Sequence, residues 1–103
     1  MYWLYLSIAI VFEVLGTTAM KWSNGFTNVW ATVTMIISYG ISFTTLAVAV
    51  KGIDVSVAYA IWSGLGIVFI SLVGFFLFQE IMSAKKVMGI IFILFGVILL
   101  KTS

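Results

Sequence analysis

The chain has 103 residues, of which 64% are hydrophobic and 8% charged, against roughly 25% charged in an average soluble domain. A soluble domain this small has too much surface for its volume to bury that apolar fraction, so lipid is the expected solvent. Cys and His are absent and five lysines face three acids for a net charge of +2, which excludes a disulfide framework, a zinc–thiolate site, a histidine base and a basic patch for nucleic acid.

A helix needs about 20 apolar residues to cross the hydrocarbon core. Charges and turn residues divide the sequence into four such pieces, at about residues 2–20, 29–50, 55–78 and 85–101. Lipid forces backbone groups to pair within the segment, and the pieces lack the apolar/polar alternation of barrel strands. The expected fold is therefore an all-α membrane protein, one domain over residues 1–103 with four transmembrane helices. The first piece is not read as a signal peptide. It has no basic leader and no small-residue cleavage site, and it carries an acid in its middle.

That acid is Glu13. It lies about 16 Å along the first helix, near the bilayer midplane. A charge there costs at least about 2.5 kcal/mol, and no lysine sits at matching depth in another span. Asp54 and Glu80, by contrast, fall in connections where a solvated role is the default. An unpaired intramembrane carboxylate marks an ion or substrate path; the alternative is a protonated Glu with a packing role. Its neighbours on the helix face are Leu6, Ala9, Ile10, Gly16, Thr17 and Met20. Ala9, Gly16 and Thr17 are small and leave room for a guest or a neighbouring helix. Thr17 reads either as part of this face or as a hydroxyl bonded to a carbonyl of its own helix.

Residues 21–28 hold polar side chains and a glycine, as a turn requires. Trp3, Tyr5, Trp22, Phe26 and Trp30 lie near span ends, where an interfacial aromatic belt is expected. In the second span Tyr39, Ser42 and Phe43 share a face, and Tyr39 is a candidate donor to a carboxylate. Residues 51–54 form a tight connection. In the third span Tyr59, Trp62, Ser63 and Gly66 fall on one side, and Ser56, Ala60 and Gly64 form a small-residue ladder beside them. Two aromatic rings facing a carboxylate suit a lipophilic organic cation, through cation–π attraction and apolar area. The alternative for Tyr59 and Trp62 is a lipid-facing or interfacial role. Gly64 and Gly66 read as a local hinge or as close-packing glycines. The fourth span has no polar side chain over residues 87–100, and Gly89 and Gly96 lie seven apart on one stripe, which suggests packing between helices or between copies.

Lysines near span ends set orientation. Lys51, Lys101 and the terminal amine share one side, and Lys21, Lys85 and Lys86 the other, so three positive charges face three. A chain without charge bias is open to insertion both ways and to head-to-tail pairing. In such a pair only a residue near mid-depth meets its own mate, and Glu13 is at that depth. Two copies give eight helices and two carboxylates, where one copy leaves little interior.

The whole chain resembles the small multidrug resistance transporters. The likeness rests on Glu13-Val14 with Gly16-Thr17-Thr18, on Met20-Lys21 and Ser23-Asn24-Gly25-Phe26-Thr27, and on Tyr39. It continues through Ala58-Tyr59-Ala60-Ile61-Trp62-Ser63-Gly64-Leu65-Gly66 to the Gly89/Gly96 pair. The resemblance implies an antiparallel homodimer, or a pair with a paralogous subunit, in a bacterial inner membrane. It implies exchange of protons for cationic substrates at Glu13 of both copies, without cofactor or metal. Tyr39, Tyr59 and Trp62 would line the site, with Ala9, Ile10, Gly16, Thr17, Ser42, Phe43 and Ser63 around them. Gly64 and Gly66 would flex the third helix, and Gly89 and Gly96 would hold the dimer. Gly16-Thr17-Thr18 looks like the quaternary ammonium branch, since guanidinium exporters of the family typically carry Trp where Gly16 stands. Residues 49–56 also resemble subunits of paired polyamine exporters. Outside the family, a proton-translocating or purely structural subunit of a membrane complex remains an alternative. Enzymatic activity is not expected, because no nucleophile–base pair or phosphate loop is present.

Overall fold

The computed structural model describes residues 1–102; Ser103, the last residue of the predicted domain, lies outside them. Four helices follow in order, α1 (Tyr2–Trp22), α2 (Val29–Ala49), α3 (Val55–Leu77) and α4 (Ala84–Thr102), each bound within one residue of the expected one except the end of α1, which lies two residues further on. The helices stop where the chemistry demands it. Past α1 the chain turns through three successive left-handed residues, Asn24, Gly25 and Phe26. The turn is held by Ser23, whose hydroxyl donates to Met20 O at 2.6 Å and accepts from Phe26 N. Asn28 then caps α2 by accepting from Ala31 N at 3.2 Å, one of the amides a helix start leaves unpaired.

α1, α2 and α3 are each long and apolar enough to cross a membrane. α4 is the exception in composition, because Lys85, Lys86 and Lys101 bracket it. Its uncharged stretch, residues 87–100, spans about 21 Å, and lysine stems extend such a helix by carrying their charge outward to the interface. Lys101 does this over Trp3 of α1, 5.4 Å from the ring centre.

α1 is the hub. It packs along α2 and against α3, while α4 rests on α3. The core sits towards the α2–α3 turn and is made of Leu6, Ile10, Ala49, Ile53, Ala58 and Ile61. There Tyr2 lays its ring directly on Gly52, which has no side chain to block it. Elsewhere the molecule is thin, 16 Å across against 42 Å in its longest direction, little more than one helix diameter of about 10–12 Å. No side chain of α4 is buried. Accessible surface reaches 6720 Å², above the roughly 5700 Å² that a compact soluble chain of this mass would show. Many of the exposed side chains are large and apolar, among them Trp30, Phe76, Ile81 and Phe92, as lipid or a second copy would require.

Candidate functional site

Glu13 sits in the middle of α1 on the side that meets α3. Its position is held by a relay of hydroxyls from two helices. Thr17, one turn further on, donates to Glu13 Oε1 at 3.0 Å. The Tyr39 hydroxyl of α2 lies 2.7 Å from the same Thr17 oxygen. A threonine hydroxyl has one proton, and here it goes to the carboxylate, so Tyr39 is the donor to Thr17. Tyr39 thus acts on the carboxylate through Thr17. Thr17 bonds the carboxylate and not a carbonyl of its own helix, whereas Thr18 does the ordinary thing and bonds Val14 O.

Gly16 is what lets Tyr39 come so close. A Cβ at position 16 would stand 2.6 Å from Tyr39 Cδ1 and Cε1, so only a glycine admits the ring flat against α1. Gly66 has the same use on the other side. A Cβ there would stand 2.5 Å from Glu13 Oε2, so the carboxylate lies directly on the backbone of α3. Oε2 is buried and has no hydrogen-bond partner, which for a neutral group costs about 1–3 kcal/mol and for a charged one more.

A second cluster ties three helices together. Ser42, fully buried, donates to Ala9 O at 2.6 Å. It accepts from the Trp62 indole N–H at 3.1 Å. Trp62 is thereby fixed at the centre of a run of rings. Phe43 and Tyr59 each lie 5.6 Å from it, and Tyr39 lies 6.2 Å from Phe43. Tyr59 and Phe43 are more than half exposed, at 58% and 55%, so this aromatic surface is open to a guest.

The predicted site residues therefore divide. Glu13, Thr17, Tyr39 and Gly16 form one unit, and Ser42, Phe43, Tyr59 and Trp62 form the aromatic one. Ala9 and Ile10 are buried and offer no surface to a guest in this arrangement; Ala9 contributes its carbonyl. Ser63 donates to Tyr59 O of its own helix at 2.8 Å. α3 runs unbroken through Gly64 and Gly66, and both glycines have contacts that account for them. A Cβ on Gly64 would meet Val97 and Ile93 of α4 at 3.1 and 3.2 Å. Gly89 and Gly96 face open space. Two features escape sequence reasoning. One is Gly66 as the seat of the carboxylate, although its placement on the Tyr59–Trp62 side is a usable hint. The other is the packing of Glu80 against Gly74 at the far end of α3, for which the sequence holds no signal.

Comparison with known proteins agrees with the residue pattern. The family model described as Small Multidrug Resistance protein matches residues 1–93. The uncharacterized membrane protein YvaE of Bacillus subtilis is 51% identical over 98% of this chain and 85% of its own. Multidrug resistance protein EbrB of the same organism is 45% identical over 97% of this chain and 86% of its own. The quaternary ammonium compound-resistance protein QacE of Escherichia coli is 45% identical over 96% and 90%.

Proposed function

This chain belongs to the small multidrug resistance family, and from that premise we propose that it exports lipophilic and quaternary ammonium cations in exchange for protons, the two competing for Glu13. The coarse part needs no proposal, because the family is one of small multi-pass bacterial membrane transporters. The exchange, the role of Glu13 and the pairing of two antiparallel copies are the reading put forward.

One observation carries it. Glu13 has one oxygen held by the Tyr39–Thr17 relay and the other buried without a partner. Buried polar groups are nearly always satisfied, so Oε2 calls for a ligand. Against the backbone at Gly66 there is space for a proton and for nothing larger. An organic cation reaches this carboxylate only when the carboxylate leaves its seat, or when α3 moves from α1. Binding of the cation and retention of the proton are then mutually exclusive by geometry. A conformational change accompanies the swap. The exposed rings of Tyr59, Phe43 and the fixed Trp62 supply the apolar, cation-attracting wall.

The likeness to QacE and EbrB supports bulky cations as the substrate class, and so does the Gly16–Tyr39 contact. A Trp at position 16 would evict the Tyr39 ring from where it now lies. Antiparallel pairing is supported by the even split of lysines, by the thinness of the single copy and by α4, none of whose residues is buried. Residues 1–103 then act as one domain, and the partner is a second copy or a paralogous subunit.

Glu13→Gln tests the reading. In proteoliposomes it should abolish proton-driven uptake of tetraphenylphosphonium while leaving the helical spectrum and thermal unfolding intact. Coupled uptake that survives the substitution would remove Glu13 from the mechanism.

A further inference from the structure

Between α1 and α3, beyond Glu13, lies a cavity of about 210 Å³ walled by Thr17, Lys21, Ser71, Gly74, Phe78 and Glu80. Its inner wall is Thr17, the residue that donates to Glu13. At its outer end Glu80 folds back over the end of α3. The Glu80 amide donates to Gly74 O at 3.0 Å, and its carboxylate lies directly on Gly74, where a side chain would displace it. The loop acid is exposed, as expected, but its carboxylate is laid back along α3 and not held away from the protein. Glu13 rests on Gly66 and Glu80 on Gly74, eight residues apart, so the two carboxylates are about 12 Å apart along the helix. Thr17 and Ser71 supply hydroxyls in between.

The size of the cavity says what travels through it. Sites for drug-sized organic molecules occupy about 300–1,000 Å³, more than this space offers. A water in bulk takes about 30 Å³ and stays in a protein where it finds two to four polar partners. The walls offer two hydroxyls, a carboxylate and an ammonium. Lys21 of α1, which reaches over the Phe78 ring at 6.0 Å, is the charged group that lines the cavity with Glu80. Its ammonium offers no apolar or anionic surface to an organic guest and donates hydrogen bonds to water.

We propose that this cavity is a water-filled path by which the proton displaced from Glu13 leaves the membrane, with Glu80 as its first acceptor at the surface. The inference rests on the proton exchange put forward above and adds its route. As the incoming cation draws the Glu13 carboxylate off its seat on Gly66, the proton on Oε2 is uncovered and passes to cavity water beside Thr17. It moves along the water chain to the Glu80 carboxylate and from there to bulk solvent. In return the proton follows the same steps backwards. In an antiparallel pair the two cavities open to opposite faces, so each copy serves one side.

The full chain in proteoliposomes, in weakly buffered medium with a pH indicator, tests this by stopped flow on addition of tetraphenylphosphonium. The wild type should release protons. Glu80→Gln should release the same number with unchanged cation affinity, but at least about tenfold more slowly, as expected for loss of a proton-transfer group. Glu80→Asp should recover most of the rate, and so should a small permeant weak acid added to Glu80→Gln. Ser71→Leu, which fills the cavity from α3, should slow release as well. Glu80→Gln or Ser71→Leu releasing protons at the wild-type rate would overturn the route while leaving exchange at Glu13 standing. A slow Glu80→Gln that weak acid does not rescue would overturn it too, since a structural defect has no reason to respond. A wild type that releases no proton would sink the exchange reading, and the route with it.

Discussion

Ser42 offers the sharpest perturbation, because its hydroxyl accepts the Trp62 indole N–H and donates to Ala9 O at once. Ser42→Ala deletes two hydrogen bonds, of 2.6 Å to Ala9 O and 3.1 Å from Trp62 Nε1. The two losses are unequal. A helical carbonyl such as that of Ala9 keeps its in-helix donor, so it loses only a second partner. Among the described residues the Trp62 N–H has no other acceptor, so it is left unpaired, for about 1–3 kcal/mol in a dry environment. Side-chain hydrogen bonds inside membranes average about 0.6 kcal/mol and reach about 1.7, which pulls the total for both bonds to about 1–2 kcal/mol. If Ser42 acts by holding the indole in the ring cluster, about 1 kcal/mol of that appears in binding, a loss of roughly fivefold in affinity for an aromatic cation. A double-mutant cycle isolates the term. Ser42→Ala, Trp62→Phe and the double variant are compared by calorimetric titration with tetraphenylphosphonium. Phenylalanine has no N–H, so Ser42→Ala should cost far less in that background, with a coupling of about 1 kcal/mol against the 0.3–0.5 expected of independent sites. Strict additivity would refute the reasoning and reduce Ser42 to a packing residue.

Three further outcomes follow from the same geometry. Gly16→Ala places a methyl 2.6 Å from the Tyr39 ring, so the ring must retreat and the Tyr39–Thr17 bond must break; cation affinity should fall severalfold, about 1 kcal/mol, and Gly16→Ala combined with Tyr39→Phe should be no worse than Tyr39→Phe alone. Trp62→Ala should weaken aromatic cations more than tetramethylammonium, by about 1–2 kcal/mol, and unchanged affinity for both would return Trp62 to a lipid-facing role. A cysteine at Ser103, in a chain that has no other, should be labelled by impermeant maleimide from both sides of the membrane; labelling from one side alone would favour a parallel pair or an obligate unlike partner.

Composition and periodicity alone determined the fold class and the helix bounds, because lipid tolerates so few alternatives: an apolar run of this length must pair its own backbone, and a helix is the way to do so. The position of Glu13 was equally legible, since depth along a span follows from counting residues. Helix register also placed Tyr39, Ser42 and Phe43 on one face and Tyr59 and Trp62 on another. What register cannot supply is which faces of different helices meet. That depends on crossing angles set by packing, and it decided the rest. It made Thr17 the intermediary between Tyr39 and Glu13, and it buried Ala9 and Ile10 within the single copy. It also made Gly66 the surface on which the Glu13 carboxylate rests, and laid the carboxylate of the exposed Glu80 back onto Gly74.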